Sequence, residues 1–521
     1  MRRWVVIAIL VAALIPSALI ALYSRDMPHL GAAHDDAIYW VSAKSLAQGA
    51  GYRILSLPGE PFQTKYPPLY PLALSLIWRA VPRFPGNLPL AMAFCWAFLP
   101  VFLALVWKLL PRLGLSPRQG VVACVLLALN PFVVLYSVSL MSELPFCCLL
   151  FGCLLLAMRA GNRQSPWWLA AAAGALGAVA FLTRNSALPL LVSVPLWLLW
   201  RRRFAAAALF FTVMSPSVAG WSLWVRAHPA SGADPLLLYY TDYTRYHFAN
   251  FAIGETPFVV WKNALEYFPG IGSIFLLPQG AGMFEGSVFP FLAAAAILAV
   301  IRFAKRNGAG PYHLFAAFYL AMLLPWQLGN HERVQRLLFP LFPLLFASVV
   351  AEFAEVWRWL AQRFRTGSGL SSGIAPLGLA TLGFAALLCG LTWISMVCHF
   401  PGFIQANRVQ LAGARPDYDW IASNIPPGRA LLTDTDPLVY LHTGRRACGL
   451  IVPPRLLYLG SPQDIARFMD SAPQVARGQG LSYMAVRKSE GRYVMSGEFV
   501  NPPRDLRLVY DSPRTSIYAI E

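Results

Sequence analysis

Hydrophobic residues in this chain come in long unbroken runs rather than in the alternating or one-faced patterns of a soluble fold. The first runs from Trp4 to Tyr23, directly after Met-Arg-Arg. Others fall at about 88–110, 119–139, 142–160, 166–183, 186–200, 204–225, 286–303, 313–329, 336–355 and 374–398. A helix needs about 20 apolar residues to cross a bilayer, so the pattern predicts about eleven transmembrane helices. The first run exceeds the roughly 7–15-residue core of a cleavable signal peptide and reads as a retained helix. Residues 66–82 open on Pro67 and Pro68, and only about a dozen mostly apolar residues follow. That length suits a juxtamembrane or re-entrant helix.

Two longer polar stretches interrupt the runs, at 24–87 and 226–285. From 399 onward the pattern changes to short alternating segments, Ala430–Thr433, Tyr483–Val486 and Arg507–Tyr510, broken by Pro, Gly and Asp. A helical segment from Tyr418 stops before Pro426. The expected organisation is an all-α polytopic membrane domain over 1–398 and a small α/β domain over 399–521.

Composition agrees. Of 521 residues, 57% are hydrophobic and 13% charged, with mean hydropathy +0.53. Soluble domains carry about 25% charged residues, so a soluble enzyme is excluded, as are a disordered and a fibrous chain. The net charge of +18 would suggest nucleic acid in a soluble protein. Here the basic residues sort by side instead. With the N-terminus in the cytoplasm, every second connection is basic: Arg2, Arg3; Lys108, Arg112, Arg118; Arg159, Arg163; Arg201, Arg202, Arg203; Arg302, Lys305, Arg306; Arg358, Arg363, Arg365. This follows the positive-inside bias. It implies a multi-pass inner-membrane protein with both long loops and the C-terminal domain on the periplasmic side, and no nucleic-acid partner. Of the eight cysteines only Cys448 belongs to a polar region, and no CxxC pair appears; they read as small apolar residues.

The candidate chemistry lies on the outer side. His34-Asp35-Asp36 stands where a helix begins, with Ile38, Val41 and Leu46 on one side and Lys44 and Gln48 on the other. A carboxylate there is a helix cap or a general base for an incoming hydroxyl or amine. Successive helical side chains diverge by about 100°, so Asp35 and Asp36 should not share one job. Lys65-Tyr66-Pro67-Pro68 presents a cation and an aromatic at headgroup level, as a snorkelling lysine or as a clamp for a lipid-linked phosphate. Glu143 sits at the edge of an apolar run, where a charge is costly and a functional role is the default, although a first-turn glutamate also suits the helix dipole. Arg184, Arg333 and Arg336 gain nothing from the positive-inside bias, and guanidinium pairs well with phosphate; anchoring, or pairing of Arg333 with Glu332, is the alternative. The aromatic loop holding Tyr239, Tyr240, Tyr243 and Tyr246, with Asp242 among them, suits sugar stacking or an interfacial belt. No metal is required, its identity is unknown, and a divalent cation near Glu143 is compatible with the residues.

In this order, Asp35-Asp36-Ala37-Ile38-Tyr39, Lys65-Tyr66-Pro67-Pro68-Leu69-Tyr70, Met141-Ser142-Glu143, Thr183-Arg184 and Arg336-Leu337-Leu338-Phe339-Pro340 resemble the membrane glycosyltransferases of the GT-C fold. The match is to the bacterial branch of the protein mannosyltransferase and aminoarabinose transferase superfamily. The resemblance implies transfer of one sugar from a polyprenyl-phosphate donor to a lipid, glycan or protein acceptor outside the cytoplasm, with inversion. It maps the essential acid onto Asp35 or Asp36, the lysine that contacts the lipid phosphate onto Lys65, and the second acidic site onto Glu143. Arg184 and Arg336 join Lys65 as candidates for the donor phosphate; His34, Tyr66, Arg333 and Asp242 are secondary. Members often read Asp-Glu where this chain has Asp-Asp, and often place an aromatic where Leu337 stands. The rival reading is a lipid or sugar flippase without glycosyl transfer. That class predicts charges near the midplane and paired repeats, whereas here the charges crowd the outer edge and no repeat is seen.

Overall fold

The computed structural model describes residues 2–229, 235–248, 251–275, 282–327, 334–365 and 374–520. The first half is helical: α1 (Arg3–Tyr23), α2 (Asp35–Ala47), α3 (Leu69–Ala80), α4 (Leu88–Leu113), α5 (Pro117–Leu129), α6 (Pro131–Ser137), α7 (Glu143–Ala160), α8 (Trp168–Thr183), α9 (Leu190–Trp200) and α10 (Phe204–Ala227). Then come α11 (Pro235–Thr241), α12 (Tyr243–Phe248), α13 (Thr256–Ser273), α14 (Gly282–Asn307), α15 (Pro311–Leu323), α16 (Val334–Leu338), α17 (Phe342–Arg365) and α18 (Ile374–Asn424).

Six stretches among the described residues are long and apolar enough to cross a membrane: α1, α4, α7, α10, Gly286–Asn307 and Val334–Trp359. A seventh is the α5–α6 pair, bent by 62°. The bend has a local cause. Asn130 takes extended backbone angles, and its side-chain oxygen accepts from the Phe132 and Val133 amides to start a new helix at Pro131. Three further expected crossings, α8, Asn185–Trp200 and α15, are apolar but shorter. The first two are parted at Arg184, which leaves the helical region (φ −157°, ψ 129°). The run at 374–398 falls within α18, and its side chains lie outside the described residues. Multiple apolar helices thus make this a multi-pass membrane protein.

Packing among the helices is close where small residues allow it. A Cβ on Gly174 of α8 would come within 2.9 Å of the Phe210 carbonyl oxygen on α10, so glycine there lets two backbones approach. Helix α2 is more enclosed than its amphipathic pattern suggests. Residues Asp36 through Ala43 are all buried, because α3 covers one side and the C-terminal domain another. The Trp78 indole of α3 donates to the Trp40 carbonyl of α2 at 3.0 Å.

The C-terminal domain holds a seven-stranded sheet: β1 (Ala430–Leu432), β2 (Arg446–Cys448), β3 (Tyr483–Ser489), β4 (Arg492–Met495), β5 (Glu498–Val500), β6 (Arg507–Asp511) and β7 (Thr515–Ala519). β1 lies parallel between β2 and β3. β3 pairs antiparallel with β4 and β7, and β7 with β6. Helix α19 (Asp436–Thr443) lies between β1 and β2 in sequence. The three strand segments foreseen from alternation are β1, β3 and β6. Helix α18 runs unbroken through position 399, so the two parts share a continuous helix.

This domain is fastened to the first loop. The Ala447 amide donates to the Ser56 carbonyl at 2.8 Å, and Arg446 pairs with Glu60. Gly31 has φ +89°, and a Cβ there would fall 2.6 Å from a Leu438 methyl of α19. Both conditions call for glycine.

Candidate active site

The first turn of α2 sends its two carboxylates in different directions. Asp35 Oδ2 lies 2.8 Å from an Arg336 Nη1. Its Oδ1 accepts from the Tyr66 hydroxyl and lies 3.7 Å from Lys65 Nζ. Asp36 turns into the protein. Its Oδ2 accepts from the Gly31 amide and its Oδ1 from the Ala37 amide, both at 2.9 Å. Burial pushes its carboxyl up to about 6, against the pull of those two backbone donors. Asp36 therefore braces the turn that leads into α2, and Asp35 faces the cavity described below.

Arg336, on α16, joins two carboxylates: besides Asp35 it donates through Nε to Glu143 Oε1. Arg184 Nη1 reaches the same Glu143 oxygen at 2.9 Å and donates to Ser142 Oγ at 2.9 Å. Ser142 Oγ in turn lies 3.1 Å from the Tyr39 hydroxyl of α2. The break after α8 is what frees Arg184 to point this way, and Ser186 Oγ holds its Nε at 3.1 Å. Five distant stretches thus meet through one branched set of charge-assisted hydrogen bonds.

Lys65 is enclosed by aromatic rings. Its Nζ stands 3.5 Å from the centroid of Tyr239, 4.7 Å from Tyr243 and 5.0 Å from Tyr66. Such contacts favour a cation in a partly desolvated place. Of the aromatic loop, left open between sugar stacking and an interfacial belt by the sequence, Tyr239 and Tyr243 are set around this lysine. Asp242 stands just before α12, where its Oδ1 accepts from the Arg245 amide at 2.9 Å. His34 precedes α2 with φ +60°, and its Nε2 lies 2.9 Å from Asp436 Oδ1 at the start of α19.

A cavity of about 1570 Å³ joins these groups. His34, Asp35, Lys65, Tyr66, Arg184, Asp242 and Arg336 line it. Glu143 and Asp36 do not; Glu143 stands behind the arginines as their shared anion. Arg333 lies outside the described residues. Sequence reasoning did not single out Tyr239, Tyr243 and Ser142 for these contacts, nor the C-terminal domain, whose Thr433, Asp434, Asp417 and Arg487 line the same hollow. Their signal was weak: polar residues in a polar domain do not stand out as Glu143 does at the edge of an apolar run. Among the described residues no three His, Cys, Asp or Glu side chains group to hold a metal ion.

Residues 66–224 match the family model described as dolichyl-phosphate-mannose-protein mannosyltransferase. In fold the chain is similar to the apo oligosaccharyltransferase of Archaeoglobus fulgidus, with a TM-score of 0.51 and 13% identity over 92% of this chain and 69% of that one. The chain thus shares the fold of that oligosaccharyltransferase and carries a mannosyltransferase-like segment over residues 66–224. It is also similar to ArnT from Cupriavidus metallidurans bound to undecaprenyl phosphate, at 13% identity and a TM-score of 0.47 over 98% of each chain. No curated protein matches it in sequence. The family match takes in Tyr66, Glu143 and Arg184; Asp35, Lys65 and Arg336 lie beyond its ends.

Proposed function

We propose that this chain transfers a single sugar from a polyprenyl-phosphate donor to an acceptor outside the cytoplasm, with inversion at the anomeric carbon. Asp35 is the base. The acceptor hydroxyl or amine attacks the anomeric carbon, its proton passes to Asp35, and the bond to the phosphate oxygen breaks. The sugar gains oxocarbenium character as the bond lengthens, and negative charge gathers on the departing polyprenyl phosphate. Lys65, Arg184 and Arg336 receive that charge in a preorganised setting, where it is worth most. As phosphate engages Arg336 and Lys65, it draws them from Asp35, whose carboxylate then becomes a better proton acceptor. Glu143 keeps both arginines charged and in place. The acceptor is a lipid, glycan or protein. The basic clusters on alternate turns support an inner-membrane protein with this site on the periplasmic face.

The observation that carries this reading is the sharing of Asp35 between Arg336, Lys65 and Tyr66 in a single large cavity. The family model's name, a dolichyl-phosphate-mannose-dependent transferase, supports a lipid-phosphate donor. The test is to give purified full-length protein a panel of radiolabelled polyprenyl-phosphate sugars together with membranes. Transfer by the wild type, lost in Asp35→Asn and retained in Asp36→Asn, is the expected result. Equal transfer by the wild type and Asp35→Asn removes Asp35 from the mechanism.

A further inference from the structure

We propose that Asp417 and the polar groups beside it on the C-terminal domain form the acceptor subsite, and that the acceptor presents there a sugar with free hydroxyls rather than a phosphate. This rests on the glycosyltransferase reading above and names the substrate class it left open.

The cavity is larger than the roughly 300–1,000 Å³ of an ordinary small-molecule pocket, at about 1570 Å³. The cations proposed for the donor phosphate take up the part next to α2, α8 and α16. Another part is walled by α18 and the sheet, including Asp417, Thr433, Asp434, Arg487, Ser489 and Ser496. Asp417 is only 4% exposed. Its Oδ1 accepts from the Tyr510 hydroxyl at 3.0 Å, while its Oδ2 has no hydrogen-bond partner among the described residues. A buried carboxylate oxygen left in that state is costly. A hydroxyl donated by a ligand relieves the cost.

Charge decides between a sugar and a phosphate. Among the described residues, each cation that this domain gives to the cavity is already engaged. Arg487 Nε holds Asp434 Oδ2 at 2.8 Å. Lys488 holds Asp511 and the Ser512 carbonyl. Arg514 holds the Gln410 carbonyl at 2.8 Å. A phosphate would meet Asp417 with no uncommitted cation from this domain. A pyranose brings hydroxyls that both donate and accept, and the wall answers with carboxylate, guanidinium and hydroxyl groups of both kinds.

The experiment uses the full chain in detergent micelles, with whichever radiolabelled polyprenyl-phosphate sugar the wild type turns over as donor. The acceptor probes are 4-nitrophenyl glycosides, the same glycosides carrying a 6-phosphate, and a Ser/Thr-rich peptide. The plain glycoside should be used best. Asp417→Asn should raise its KM about 10–100-fold, the loss expected for a hydrogen bond to a charged group, and move the donor KM far less. Tyr510→Phe, which keeps the carboxylate, should raise the glycoside KM by a smaller factor and covers the case where Asp417→Asn does not fold. An unchanged glycoside KM in both variants overturns the proposal, as does preference for the phosphorylated glycoside or the peptide. If the wild type turns over no donor at all, the glycosyltransferase reading itself fails, and this inference with it.

Discussion

On the wall built by α2, α7, α8 and α16, charges are few, buried and shared. Arg336 serves Asp35 and Glu143, and Glu143 serves Arg184 and Arg336. On the C-terminal domain, several ion pairs are made two by two near water: Arg492 with Glu490, Lys488 with Asp511, Arg467 with Asp464. The same residue types are present, yet their energetics differ. A buried pair gains Coulomb energy only against a large desolvation cost, so removing one partner strands the other. An exposed pair is screened and loses side-chain entropy on forming, so it is worth about 0–1 kcal/mol. The first wall is therefore a device that holds charge ready at some cost, and the second is an adaptable polar surface.

The largest effect that bears on this contrast is on turnover. Asp35→Asn keeps the shape of the first wall but removes the proposed base, so kcat should fall about 10²–10⁴-fold, measured as radiolabel transferred per protein. A fall below tenfold would place Asp35 with the ordinary pairs. Next comes Glu143. Glu143→Gln leaves Arg184 and Arg336 without their common anion, so stability should drop by about 3–5 kcal/mol, measured by denaturant unfolding in detergent. Adding Arg184→Met should recover part of the loss, because one stranded charge goes with it. No recovery would mean that the three residues are not coupled.

How far these walls could be read from the chain follows from the same contrast. Asp35, Lys65, Glu143, Arg184 and Arg336 each stand out because a charge beside an apolar run needs a reason. Strands β1, β3 and β6 show through their alternation. Direction was not readable. Asp35 and Asp36 are neighbours of one type, and only the turn at Gly31 decides which of them is swallowed. The hold of Tyr239 and Tyr243 on Lys65 joins stretches about 175 residues apart, which no local pattern reports. Asp417 looks like any surface aspartate of a polar domain until α18 and β6 bury it. The break at Arg184 stands where the two apolar runs were separated, whereas α15 ends at Leu323, short of its apolar run.

Asp36 sharpens the comparison through pH. Its carboxyl lies at about 6 in the fold against 3.8 when solvated. The protonated form is thus favoured by folding. That stability is fully present below about pH 4 and is lost as pH rises through about 6, a change of about 3 kcal/mol. The wild type should therefore lose stability across this window, and Asp36→Asn should flatten that part of the profile while still transferring sugar. The variant gives up one of the two backbone bonds, about 1 kcal/mol. An unaltered slope between pH 4 and 6 would show that another group carries it.

The smallest effect belongs to the other wall. Asp511 is half exposed beside Lys488, and its carboxyl is held low by hydrogen bonds from Lys488 and Ser516. Asp511→Asn should change unfolding free energy by less than about 1 kcal/mol, and less again in high salt. A loss as large as that of Glu143→Gln would mean that burial is not what separates the two walls. The contrast would then have to come from how many partners each ion has, which a double variant of Lys488 and Asp511 would measure directly.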